Sequence, residues 1–340
     1  MSKVTVYVGL DYHKDFIQVC VMDRSGQILA NRRCKNQVQA LVELVATFGD
    51  EVHAAVESCS GAAALADELA TRHRWSINLA HPGYVARMKQ TPDKTDWADA
   101  RVLANLVRVG YLPAVWLAPE DVRQLRALVR YRQQLVEQRR TLKLRITALL
   151  REARVVEPRS RWSKAWVAWL RTAEGLGTQT RWILNKHLVE YEHVVILIQE
   201  AESRLQAVTA GDPVVAQLSA QRGVGLVTAA TIRAEIGRFD RFATGKQLAR
   251  YCGLSPRNAS SGQRQADAGL IQAGNPQLRA AIIETAHRLV RFDPRWADLG
   301  LRLRAAGKPT CVAIAAVANR WVRWLFHQVE GGAITLNTAA

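Results

Sequence analysis

A chain of 340 residues, 49% of them hydrophobic, carries enough apolar content for about two domains and too much for a disordered polypeptide. No apolar run approaches the roughly 18 to 20 residues needed to span a bilayer, and five scattered cysteines without a CxxC pair give neither a disulfide framework nor a zinc site. The formal net charge of +17 is spread along the chain, with Arg far more frequent than Lys, which points to a polyanionic partner: nucleic acid first, a membrane surface second.

The first element is VTVYVGLDYHK, residues 4–14. Val4, Val6, Val8 and Leu10 alternate with Thr5, Tyr7 and Gly9, the pattern of a strand covered on at least one face. It exits on Asp11, where an open sheet presents chemistry, although an Asp that merely starts a turn reads the same. Residues 15–33 continue as two strands, Phe16 to Met22 and Gln27 to Ala30, around the turn Asp23-Arg24-Ser25-Gly26, so the chain opens with an antiparallel meander. The spacing of Val38, Leu41, Leu44 and Val45 predicts a helix over 36–48. A short strand, Val52 to Val56, ends on Glu57. A helix over 62–72 and a strand over 76–80 complete a β-β-β-α-β-α-β order, an α+β pattern that sets strands one and four side by side and brings Asp11 and Glu57 to neighbouring ends.

KTDWADARVLANLVRVG, residues 94–110, predicts a helix with Thr95 as N-cap. Asp96 is then its first residue, and Asp99 shares the face of its first turn. Pro113 to Pro119 breaks the chain and marks a domain boundary. Beyond it, residues 120–154 predict one long charged helix. Leu128, Leu135, Leu142 and Leu149 recur every seven residues, as in a coiled coil, while Arg132 and Arg139 interrupt the second heptad position. Trp162, Trp166 and Trp169 fall on one helical face and read as packing rather than base stacking. A helix over 188–208, with Leu188, Tyr191, Val195, Ile198 and Leu205 as its spine, is predicted to fold back on the long one. Residues 216–330 read as a mostly helical third unit. The expected domains are therefore 1–117, 118–212 and 213–332, with a frayed tail over 333–340.

Three groups of residues could carry chemistry. Asp11, Glu57, Asp96 and Asp99 are acids at element ends. Each alone could be a cap or a complement to a helix dipole. In so basic a protein, however, converging acids would repel a phosphate unless divalent metal intervened, and two Mg²⁺ ions about 4 Å apart are a standard way to activate a phosphodiester. Meander, strand with Glu, helix with Asp is also the order of a ribonuclease-H-like nuclease core. Gly223 and Gly225 stand at a turn between helices, where backbone N–H groups can approach a phosphate or simply form the turn; Arg222, Arg238, Arg241, Lys246 and Arg250 lie nearby. Ser260 and Ser261 precede Gly262 in a loop with Arg257 and Arg264, which is either a plain turn or the place of a nucleophile.

Taken in order, GLDYHK, AVESCSG, KTDWADA, RGVGLVTAATIRAEIGRF and GLSPRNASSG followed by NPQLR resemble the DEDD transposases of the insertion sequence 110 family, now regarded as bridge-RNA-guided recombinases. The resemblance covers nearly the whole chain. It implies a RuvC-like N-terminal domain, a coiled-coil arm and a C-terminal transposase domain bearing a serine. It implies that the four acids hold Mg²⁺ and that Ser261, with Ser260 as fallback, forms a covalent link to a DNA end. It also implies DNA and a guide RNA as partners, and a homo-oligomer, dimer to tetramer, whose site draws on two subunits. His81-Pro82 departs from the family's usual Asn-Pro, and the doubled serine leaves two candidates for the nucleophile. A transposase and a site-specific invertase share every one of these residues. A RuvC-like nuclease that uses water, and a non-catalytic nucleic-acid scaffold, are the alternatives from other classes. A cytoplasmic location is expected.

Overall fold

The computed structural model describes residues 4–88, 95–258, 267–271 and 273–331, and the chain divides into two compact units, Met1–Ala118 and Pro119–Ala340.

The first unit begins with strands β1 (Thr5–Tyr12), β2 (Phe16–Met22) and β3 (Ile28–Lys35), followed by helix α1 (Val38–Ala46), strand β4 (Glu51–Glu57), helix α2 (Ala62–His73) and strand β5 (Ser76–Ala80). Helices α3 (Pro82–Met88) and α4 (Asp96–Arg108) and the two-residue strand β6 (Ala114–Val115) complete it. The sheet order is β3-β2-β1-β4-β5-β6. β1, β4 and β5 are parallel, and the others pair antiparallel with their neighbours. The expected pairing of the first and fourth strands is present, with Leu10 opposite Val56.

Apolar side chains from both faces of the strands account for the layering. Val6, Val8 and Leu10 of β1 join Leu41 and Val45 of α1 and Leu65 and Leu69 of α2 in one core. Cys20 and Met22 meet Ala100 and Ala104 of α4, and Ala55 and Ala80 meet Leu103, Leu106 and Val85 of α3. Helix α4 lies close because Gly9 has no side chain: a Cβ there would stand 1.9 Å from the Ala100 oxygen and 2.4 Å from the Ala104 nitrogen. Both obstacles are backbone, which cannot swing aside. Gly9→Ala is therefore expected to cost about 3 kcal/mol or more, at or beyond the usual limit for overpacking, and to displace the helix that bears Asp96 and Asp99. Thermal unfolding followed by circular dichroism checks this; wild-type stability would contradict it.

Three features differ from expectation. β3 runs to Lys35 instead of stopping near Ala30. Its later residues, Asn31-Arg32-Arg33-Cys34-Lys35, lack apolar alternation because this is an edge strand, where charge is normal. Helix α3 and strand β6 occupy stretches whose residues read as a connection and a break; both are too short to show a period.

The second unit contains helices α5 (Glu120–Glu152), α6 (Lys164–Leu170), α7 (Thr178–Thr209), α8 (Pro213–Ser219), α9 (Leu226–Ile236) and α10 (Gly245–Tyr251), strands β7 (Pro256–Asn258) and β8 (Asp267–Leu270), and helices α11 (Pro276–Phe292), α12 (Pro294–Ala305) and α13 (Thr310–Glu330). The 33 residues of α5 span about 50 Å. α5 and α7 form an antiparallel pair: Val129 packs with Leu205, Leu135 and Leu142 with Val194 and Ile198, and Ile146 and Leu150 with Leu184 and Leu188. Two of the heptad leucines, Leu128 and Leu149, are only half-buried. Val129, Ile146 and Leu150 take inner positions, so the seam drifts from a strict seven-residue repeat, as a straight helix requires. α7 starts ten residues before the expected position, and Val194, not Val195, faces inward. Arg132, which breaks the heptad, hydrogen-bonds Glu202 across the pair at 2.6 Å. Trp166 is buried against Trp162 and Trp169, in line with a packing role. Trp162 precedes the Ser163 N-cap and so lies outside the helix. The remaining helices share a core that includes Phe239, Leu278, Ile282, Trp321 and Phe326. All five cysteines are free thiols, and among the described residues no helix is long and apolar enough to cross a membrane.

Candidate active site

The site forms at the carboxyl edge of the parallel strands. Asp11 is the penultimate residue of β1 and Glu57 closes β4, each one step beyond the registered pair Leu10 and Val56. Asp96 and Asp99 lie in the first turn of α4, which starts there because the Thr95 side chain accepts a hydrogen bond from the Ala98 backbone N–H at 3.2 Å. That turn points at the exit of β1.

The nearest approach is between Asp11, Asp96 and His13. One potential ligand atom of each lies within 4.8 Å of the others. His13 Nε2 is 3.1 Å from Asp11 Oδ2 and 3.5 Å from Asp96 Oδ1. Arg33 donates from a terminal guanidinium nitrogen to Asp96 Oδ2 at 2.8 Å. Asp99 is buried, and Glu57 is half-buried.

Electrostatics place these groups in one neighbourhood. Burial pushes the Asp11 carboxyl above its ordinary value. The hydrogen bond and charge of His13 pull it back, and the carboxylates of Asp99 and Asp96 push it up again. The Cys59 thiol is raised by burial first, then by Glu57 and Asp11, so one thiol senses the acids of both strands. The negative charges that raise the Asp11 carboxyl also favour a cation beside it. Ligand atoms of Asp11, His13 and Asp96 lie near enough to one another to hold a divalent ion, and among the described residues neither Glu57 nor Asp99 belongs to that group.

His13 and Arg33 are not among the candidates that the sequence marks out. Two signals point to them. His13 is two residues from Asp11, so on a strand both side chains share a face. Arg33 requires the register: Asp11 pairs with Gln18, and Gln18 with Arg33, which sets all three in one row across the sheet.

The second unit holds the other candidates. Gly223 takes a left-handed φ of +81° in the turn between α8 and α9, and Gly225 is the N-cap of α9. The Arg288 side chain lies beside both. Arg257 is exposed on β7. Ser260, Ser261, Gly262 and Arg264 lie outside the described residues, as do residues 333–340. The flanks of the serine loop are tied down: the Ile271 N–H donates to the Ser255 oxygen at 3.0 Å, and Arg279 donates to the Ile271 oxygen at 3.0 Å.

Comparison with known proteins bears on the same residues. A family model for DEDD transposases of the IS110 type matches residues 8–155, which include all four acids. A second model, for transposases of the IS116/IS110/IS902 family, matches residues 215–300. A Sinorhizobium fredii protein named as a transposase, y4qE, is 31% identical over 63% of this chain; the match spans 52% of that protein, about half its length. The transposase for insertion sequence element IS1111A of Coxiella burnetii is 27% identical over 84% of this chain and 78% of its own. A family 20 transposase of Pseudomonas aeruginosa is 27% identical over 94% and 95%.

Proposed function

The chain belongs to the insertion sequence 110 family of DEDD transposases, and from that premise we propose that it cleaves and exchanges DNA strands at the ends of an insertion element, with Mg²⁺ held by Asp11, Glu57, Asp96 and Asp99 and with Ser261 as nucleophile. The observation that carries the reading is the convergence of Asp11 and Asp96 within 4.8 Å, on a protein whose overall charge is +17. His13 and Arg33 offset part of the repulsion between these carboxylates, and a divalent cation would offset the rest. When bound, divalent metal supplies Lewis-acid polarisation of the phosphodiester and neutralises its charge.

The protein's own groups do the rest. His13 and Arg33 hold the Asp96 carboxylate in one orientation, and α4 fixes Asp99 by burial. The Ser261 oxygen bonds to phosphorus as the bond from phosphorus to the neighbouring deoxyribose oxygen breaks, and the serine proton is lost to the departing oxygen by way of solvent. The phosphoserine ester preserves the energy of the broken bond, so rejoining needs no external source. Gly223, Gly225, Arg257 and Arg264 contact phosphates. The exposed arginines of α5, including Arg140, Arg145 and Arg151, suit the backbones of DNA and of a guide RNA. Base pairing to that RNA selects sequence, as in other RNA-guided enzymes. The working form is a homo-oligomer, dimer to tetramer, in the cytoplasm, and the functional division is 1–117, 118–212 and 213–332.

Ser261→Ala tests the serine. With element-end DNA and Mg²⁺, the wild type is expected to form a protein–DNA adduct that survives denaturation, Ser260→Ala to keep it, and Ser261→Ala to lose it. Undiminished cutting by Ser261→Ala without any adduct in the wild type would identify a nuclease that uses water.

A further inference from the structure

Helix α4 opens Asp96-Trp97-Ala98-Asp99, so an indole is rooted between the two acids of its first turn. Trp97 is not part of the core. It is 44% exposed, while the buried face of the helix is Asp99, Ala100, Leu103, Ala104 and Leu106. Its backbone is nonetheless fixed. Asn31 donates to the Trp97 carbonyl oxygen at 3.0 Å, and the Gln18 amide donates to Asn31 Oδ1 at 2.6 Å. Gln18 itself is only 5% exposed. One turn further along, the Arg101 guanidinium carbon sits 5.3 Å from the indole centroid. An apolar ring is thus left partly in solvent, with its backbone anchored to the sheet and a cation against it, one residue along the helix from Asp96.

We propose that Trp97 is a stacking platform for an unpaired nucleobase of the DNA strand, next to the phosphate that the acids engage. The proposal rests on the reading of those acids as the metal site. A flat, uncharged ring recognises the face of a base, and Arg101 beside it suits the adjoining phosphate. The ring belongs to the residue that follows Asp96, so its reach is to the same nucleotide or the next. Within an intact duplex both faces of a base are covered by its neighbours. The substrate element must therefore be a base at a branch, nick or opened end, which strand exchange produces.

The test uses the full chain in Ca²⁺ and a splayed-arm DNA with 5-iododeoxyuridine in one unpaired arm. Irradiation is expected to crosslink the tryptic peptide Thr95–Arg101, in which Trp97 is the only aromatic residue. Trp97→Ala is expected to lower the crosslink yield about fivefold or more and to weaken binding of splayed DNA by roughly tenfold, with duplex binding unchanged, while Trp97→Phe retains most of both. Mn²⁺ titration followed by electron paramagnetic resonance should be identical in the wild type and Trp97→Ala. A crosslink elsewhere, equal yield from Trp97→Ala, or a crosslink only with the RNA form of the probe overturns the proposal while leaving the metal site standing. If the wild type binds no Mn²⁺, the metal reading fails and this inference fails with it.

Discussion

Asp11→Asn is expected to reduce DNA cleavage by about 10³-fold or more, equivalent to some 4 kcal/mol of transition-state stabilisation, and at the same time to leave the metal-free protein as stable as the wild type or more so. The two effects follow from one cause. Burial raises the Asp11 carboxyl, and Asp99 and Asp96 add to that shift against the opposing pull of His13. Its folded pKa therefore lies above the unfolded value near 3.8. Between those two values the native state binds more protons than the unfolded state, so stability falls as pH rises through that window and then levels off. Asparagine has the same shape and no charge, so the variant escapes that loss. Melting curves against pH without metal should show the wild type falling behind Asp11→Asn from about pH 4 upward. Added Mg²⁺ should reverse the order by stabilising only the wild type. A variant that still cuts, or that gains as much from Mg²⁺ as the wild type does, would remove Asp11 from the metal site.

Much of this site is legible in the sequence because it depends on local rules. Alternation in VTVYVGL fixes β1 and hence the exit of Asp11. The N-cap preference of Thr95 sets Asp96 and Asp99 on one turn. The β-β-β-α-β order makes β1 and β4 neighbours and so brings Asp11 and Glu57 to neighbouring strand ends, one step beyond the pair Leu10 and Val56. What escapes depends on relations between distant segments. Arg33 reaches Asp96 only through the register of two antiparallel pairs, and its strand carries charges that hide its periodicity. Gly9 is an ordinary strand glycine until α4 lies on it. In the second unit, Leu128 and Leu149 match a heptad, yet the burial of Val129, Ile146 and Leu150 is decided by α7, whose own phase places Val194 rather than Val195 inside. Glu235 reads only as part of a helical run, since nothing local marks an acid that will be buried.

That glutamate should give the largest stability effect in the second unit. Its side chain is 1% exposed. Arg130 engages it through two parallel hydrogen bonds, at 2.8 and 3.0 Å, and Arg126 lies 3.6 Å from Oε2 while donating to the Ala234 oxygen. The hydrogen bond to Glu235 raises the Arg130 guanidinium above its usual value, whereas burial lowers that of Arg126. Breaking a buried pair by removing one partner costs about 3–5 kcal/mol. Arg130 is 47% exposed and can recover some hydration, so Glu235→Ala should fall near the lower end, roughly 3 kcal/mol, or a fall in Tm of roughly 6–12 °C for a unit of this size. Glu235→Gln keeps the shape but turns an amide N–H₂ toward guanidinium donors, and should cost less than alanine without being neutral.

The effect should also reach the serine loop. Asn275 donates to Glu235 Oε2 at 2.7 Å, and its own Oδ1 accepts from the Leu278 N–H at 3.0 Å, capping α11. Tyr251 donates to the Glu235 carbonyl oxygen at 2.9 Å, and the Asn275 N–H donates to the Tyr251 oxygen at 2.9 Å. Nearby, Gly274 lies against Gly253 so closely that a Cβ on Gly274 would stand 2.2 Å from the Gly253 Cα. The chain returning from β8 is thus clamped onto α10 within a few residues of the loop, and Glu235 is one jaw of the clamp. Well below the melting transition, Glu235→Ala should therefore lower the yield of the covalent DNA adduct while leaving Mn²⁺ binding by the acids of the first unit unchanged. Wild-type stability in Glu235→Ala would show that the arginines are fully hydrated without it. Loss of Mn²⁺ binding would show that the defect is global, and that the glutamate does not position the loop.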